Sequence, residues 1–110
     1  MAAWRTKAYT MFQLNPGDYS YREGKRGLFT NLVDWARQAI DEKNSIQLNK
    51  IVEYVIWAEQ QNSYELNSSI DLCFFLPVLK DTTLSESILQ HFPAELIARV
   101  QDRIFDNELH

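Results

Sequence analysis

The stretch Lys25–Lys43, KRGLFTNLVDWARQAIDEK, decides the fold. Projected at about 100° per residue, Leu28, Phe29, Leu32, Val33, Trp35, Ala36, Ala39 and Ile40 gather on roughly half the circumference of a helix. Thr30, Asn31, Asp34, Arg37, Gln38, Asp41 and Glu42 fill the other half. A segment patterned in this way forms an amphipathic α-helix, with one face on a core and the other in water. Arg37 and Asp41 stand one turn apart on the wet face and are expected to pair.

Downstream, Asn44 and Ser45 suit a helix end followed at once by a new cap, and Ile46 to Gln61 reads as a further helix. So short a connection makes the two an antiparallel hairpin. In this third helix Leu48, Ile51, Val52, Val55 and Ala58 share one face, whereas Ile46, Tyr54, Ile56 and Trp57 spread around the others. Asn62 with Glu65, or Ser68 with Asp71, offers a capping box for a fourth helix running toward Pro77, which is expected to end or kink it. The run Leu72, Cys73, Phe74, Phe75, Leu76 also suits a buried strand, but no alternating partner strand is visible, and a helix is the expectation. Thr83 and Glu86 form another capping box for a short helix to about His91. Pro93 suits the first turn of a last helix through Phe105, with Leu96, Ile97, Val100 and Ile104 inside and Glu95, Arg99, Asp102, Arg103 and Asp106 outside.

Upstream, Ala3 to Phe12 reads as a short helix with Trp4, Ala8, Met11 and Phe12 near one face. Asn15, Pro16 and Gly17 signal a turn, and the segment through Tyr19, Tyr21 and Gly24, without periodicity, reads as a loop. The chain has 110 residues, 45% hydrophobic and 24% charged, with only three glycines and three prolines. That length suits one core, and so few turn residues suit helices better than a sandwich or barrel. The expected fold is therefore all-α: one domain over residues 1–110, a compact bundle of about five to six helices, with stacked antiparallel hairpins a compatible arrangement.

Most kinds of chemistry find no foothold. One cysteine, Cys73, and two histidines, His91 and the final residue, give no metal-ligand spacing, so neither metal nor cofactor is expected. A Cys73–His91 nucleophilic pair is weighed against an inert thiol in an apolar run, which is the preferred reading. Gly17, Gly24 and Gly27 match no phosphate-binding loop, and Gly24-Lys25-Arg26-Gly27, the one basic patch, reads as a solvated helix entry rather than an anion site. Asp41 with Glu42, and Asp102 with Asp106, fall on wet faces where carboxyls titrate ordinarily. No catalytic residue is expected. A net charge of −4 disfavours nucleic acid. The longest apolar run, Leu72 to Leu79, falls well short of the ~20 residues that cross a bilayer. The amino end, Met1 to Arg5, lacks a signal core, and the lone cysteine implies no oxidising compartment, so a cytoplasmic location is expected.

What remains is the apolar surplus of the third helix. With Leu48, Val55 and Ala58 inward, Ile46 and Trp57 project nearly the opposite way, with Lys50 and Glu53 between them. Aromatic anchors amid charges are typical of interface centres, which makes Ile46, Lys50, Glu53, Tyr54 and Trp57 the candidate partner-binding residues. The competing reading sandwiches this helix inside the domain, so that both faces are core.

The succession GLFTNLVDWARQAI, LNKIVEYVIWAE, SSIDLCFFLPVL resembles, in helix order and apolar rhythm over residues 28 to 105, small all-helical bacterial proteins, some of which look like immunity proteins of toxin systems. The resemblance carries no diagnostic motif and transfers no functional residue. It implies a stoichiometric partner that covers a toxin's active surface, a role that needs no catalytic groups. A non-catalytic protein-binding module is thus the leading expectation. The alternatives are a small enzyme or ligand-binding domain with a pocket lined by Asp71, Tyr54 or His91, and a structural homo-oligomer such as a homodimer through the third helix.

Overall fold

A computed structural model describes residues 3–14 and 19–109, with side chains at 3–14 and 24–106. Its centre is the helix read from Lys25–Lys43, which begins earlier than expected. Helix α1 spans Ala3–Phe12, and α2 spans Tyr19–Asp41, bent at Gly24 where φ is 70° and ψ is −155°. That backbone conformation is open to glycine and strained for other residues, so the helix is broken there and the chain turns a corner between a short first part and a long second part. The loop expected through Tyr19 to Gly24 is corrected to a short helical segment that ends at the Gly24 break, since local pattern is a weak determinant that tertiary context overrides. The turn expected at Asn15 to Gly17 lies outside the described residues.

Leu28, Phe29, Leu32, Val33, Ala36 and Ala39 of α2 are buried, and the helix touches α1, α3, α4 and α6. It stops at Lys43, which takes a left-handed φ of 55°. The Asn44 N–H then reaches the Ala39 carbonyl at 2.8 Å and the Lys43 N–H the Ile40 carbonyl at 3.1 Å, closing a Schellman turn. The Asn44 side chain immediately accepts the Gln47 N–H at 3.1 Å and opens α3, Ser45–Glu59. One residue thus serves both helix end and helix start, which holds α2 and α3 as the expected hairpin.

Two caps differ from the sequence expectation. Helix α4, Tyr64–Ile70, is capped by Ser63, whose hydroxyl accepts the Leu66 N–H at 3.2 Å, rather than by Asn62 or Ser68. Asn62 instead takes a left-handed φ of 54° and ends the preceding turn. Helix α6, Thr82–Ile88, is capped by Asp81 rather than Thr83. One Asp81 carboxylate oxygen accepts the Leu84 N–H at 3.1 Å, and the other lies 3.4 Å from Arg37. Arg37 also reaches Asp34 at 3.3 Å, so it pairs with these two carboxylates and not with Asp41. A carboxylate held in place as a cap costs less to order than a free side chain on the helix surface.

Between α4 and α5, Leu76–Lys80, the helix widens over Asp71–Phe75 into a π-helical turn in which the Leu76 N–H reaches the Asp71 carbonyl. Pro77 therefore does not end the coil, and the helical register changes just ahead of it. The wide turn just before it takes the ring past the carbonyl that an α-helical register would crowd. The turn also brings Asp71, Phe74 and Phe75 inside together. Phe74 and Phe75 meet edge-on at 5.1 Å, and Phe75 meets Phe92 at 5.4 Å. A 3-10 turn, Leu89–His91, leads past Pro93 to α7, Ala94–Leu109, longer than expected and buried along Leu96, Val100 and Ile104.

These helices form an all-α bundle without strands among the described residues. Its buried side chains join in one hydrophobic cluster, from Ala8 in α1 to Ile104 in α7. The radius of gyration, 13.4 Å, is close to the ~13 Å of a compact chain of about this length. No helix among the described residues is long and apolar enough to cross a membrane.

Candidate functional site

Helix α3 presents an outer row at helical spacing, Ile46, Lys50, Glu53 and Trp57. Ile46 is 71% exposed, Glu53 is exposed, and Lys50 and Trp57 are half-buried. The Trp57 ring packs 5.8 Å from Tyr54 on one side and lies 5.6 Å from the Lys7 ammonium. The remaining sequence candidate is placed elsewhere. Tyr54 is fully buried, with its hydroxyl donating to the Trp4 carbonyl at 2.7 Å and its ring among Phe12, Phe29 and Trp57. It ties α3 to α1, and burial pushes its phenol well above the ordinary range. Tyr54 is adjacent in sequence to Glu53 but about 100° around the helix from it, which turns the ring inward.

Arg103, read from the sequence as a wet residue, instead anchors a polar cluster at the edge of the core. The Arg103 guanidinium is held between two carboxylates whose side chains are each 4% exposed. Nη2 donates to both Glu59 oxygens at 2.8 and 2.9 Å and to Asp71 Oδ1 at 3.0 Å, while Nε donates to Asp71 Oδ2 at 2.9 Å. Burial pushes both carboxyls upward against the opposing pull of Arg103. The cluster joins the C-terminal end of α3, the π-helical turn and α7. A signal for it did exist: Arg103 follows Leu96 and Val100 at the spacing of the buried stripe, so period alone puts it at the edge of the core. Glu95, Arg99, Asp102 and Asp106 are exposed as read.

Two hollows flank α4, and Tyr64 and Ser68 line both. On the α7 side, a hollow of about 250 Å3 is also lined by Asn67, Asp71, Arg103 and Asp106. Asn67 Oδ1 is buried there without a hydrogen-bond partner. On the other side, a hollow of about 680 Å3 is lined by Trp4, Gly24, Lys25, Arg26, Glu65 and Leu72, among others. Tyr64, 87% exposed, and Leu72, 46% exposed, stand as an apolar ridge along α4 and the π-helical turn. Of the pocket residues considered from sequence, Asp71 alone lines a hollow here, since Tyr54 is core and His91 is exposed.

The other sequence candidates fall as follows. Cys73 is a half-buried free thiol packed against the core, with no hydrogen bond to His91. Asp41, Glu42, Asp102 and Asp106 are exposed. Gly24 breaks α2, so Lys25 to Gly27 open its long part as a helix entry, and Lys25 pairs at 3.5 Å with Glu65, itself 82% exposed. Among the described residues no group of His, Cys, Asp and Glu is arranged to hold a metal ion. No family model, curated protein or solved structure matches this chain, so its functional reading rests on the side chains themselves.

Proposed function

We propose that the protein is a non-catalytic protein-binding module of the cytoplasm, acting like an immunity protein that neutralises a toxin by covering it. The observation that carries this reading is the outer row of α3, where an isoleucine 71% exposed stands in line with Lys50, Glu53 and the accessible edge of Trp57. The aliphatic anchor and the aromatic edge supply the apolar contacts of an interface centre, and Lys50 and Glu53 supply polar groups of the kind found at its rim. The row is rigid, because Trp57 is braced by Tyr54 and the helix is capped by Asn44. A surface ordered before binding loses little entropy on docking.

The test is co-expression with the products of the neighbouring genes in its source genome, followed by co-purification. The expected result is a stoichiometric complex that survives size exclusion with the wild type and is lost with Ile46→Glu, a change at an exposed position that leaves the fold intact. A complex that Ile46→Glu retains at full strength, or no complex with any neighbour and no rescue of a toxic one, overturns the reading.

A second reading, a small ligand-binding domain, draws on the hollow beside Arg103, where Asn67, Asp71 and Asp106 line one space. Thermal-shift screening against small amines and carboxylates separates it from the first. A ligand whose stabilising effect disappears in Asp106→Asn favours the second reading.

A further inference from the structure

The ridge along α4 divides two flanks of opposite charge, an arrangement independent of the α3 row. On one side stand Lys25 and the exposed Arg26, which carries no ion pair among the described residues. The salt bridge from Lys25 to Glu65, at 3.5 Å with Glu65 82% exposed, is of the solvent-screened kind that contributes little and exchanges partners readily. On the other side Asp106 is exposed and likewise unpaired among the described residues. It stands beside a buried cluster in which Glu59 and Asp71 share the single charge of Arg103, leaving an excess of negative charge. The exposed Arg99 reaches that cluster only through its field on Glu59. Between the flanks the ridge offers Tyr64 and Leu72, which are 87% and 46% exposed.

We propose that this face is a homodimer interface in which the ridges of two copies pack on each other and the Lys25–Arg26 flank of each lies on the Asp106 flank of its partner. The symmetry follows from the charge order. Two copies packed face to face are related by a two-fold axis in the plane of contact. When that axis runs along the ridge, each flank meets the opposite flank of the other copy; when it runs across, like charges meet. The patch is therefore self-complementary in one arrangement, and the apolar ridge lies at its centre, where water is excluded. This proposal stands whether or not the α3 row binds a partner, because the two surfaces share no residue.

The test is sedimentation equilibrium on the full chain over a concentration series at low and high salt. The wild type is expected to reach the mass of two chains, with a dissociation constant that rises with salt. Lys25→Glu with Arg26→Glu, and separately Asp106→Lys, each place like charges across the axis and are expected to weaken self-association roughly tenfold or more. Mixed in equal amounts, the two variants restore opposite charges on both flanks and form a heterodimer. Tyr64→Glu, at an exposed position on the ridge, is expected to give a monomer, and circular dichroism confirms that each variant is helical. A wild type that stays monomeric across the series overturns the proposal. So does a dimer that persists in both charge variants, or a mixture that fails to associate.

Discussion

Arg103 donates to both oxygens of Glu59 at 2.8 and 2.9 Å across 44 positions of sequence, binding the last helix to the end of the α2–α3 hairpin. Asp71, 32 positions before Arg103, completes the clamp from the π-helical turn. Cutting the arginine leaves two carboxylates buried without a cation, and removal of one partner from a buried ion pair costs about 3–5 kcal/mol. Arg103→Ala is expected to lose stability of that order in urea denaturation. Arg103→Lys should fall between, because a single ammonium cannot reproduce the fork that serves Glu59 and Asp71 together. A loss in Arg103→Ala below about 1 kcal/mol, the size of a surface pair, would show the clamp to be solvated.

The same cluster sets a dependence on pH. Burial holds the Glu59 and Asp71 carboxyls above their ordinary range, so the folded chain binds these protons more tightly than the unfolded chain. Stability from such groups is complete below the unfolded pKa and is lost as pH rises through the folded one. Acidifying from neutral pH toward the ordinary carboxylate range should therefore favour the wild type relative to Glu59→Gln, which lacks one titrating group. Thermal melts of the two proteins across that window measure it. Curves that run parallel would contradict the assignment.

Tyr54 contributes both a ring to the core and a hydrogen bond to the Trp4 carbonyl at 2.7 Å. Tyr54→Phe keeps the ring and removes the hydroxyl donor from a carbonyl that also serves its own helix, an expected loss of about 1 kcal/mol. Tyr54→Ala removes the ring as well and should cost about 3–5 kcal/mol. Hydrogen exchange should show α1 protected less in Tyr54→Phe than in the wild type; equal protection would mean that α1 is held by packing alone.

The caps give a test within one helix. Asp81→Ala removes both the bond to the Leu84 N–H and the contact with Arg37, with an expected cost of about 1 kcal/mol. Thr83→Ala, the cap that the sequence pattern favours, should leave stability unchanged within about 0.5 kcal/mol. Chemical denaturation of the pair decides which residue begins α6.

Periodicity in the sequence determined α2 from Lys25 onward, α3 and α7, because an amphipathic helix announces its buried face locally. The stripes Leu28 to Ile40, Leu48 to Ala58 and Leu96 to Ile104 all lie inward or against the core, and the Asn44 stop-and-start was legible because both halves of it are local hydrogen bonds. The outer row of α3 was legible for the same reason. The hydroxyl partner of Tyr54, the pairing of Arg37 with Asp81 and the ion pairs of Arg103 were decided only in three dimensions, since each depends on a residue tens of positions away. Period alone places Arg103 at the edge of the core, but its carboxylate partners, Asp71 on the π-helical turn and Glu59 at the end of α3, reach it only through tertiary packing. The widened turn before Pro77 belongs with these, because a proline in a helical run dictates that the hydrogen-bond register must adjust, while the surrounding core chooses a bulge over a break.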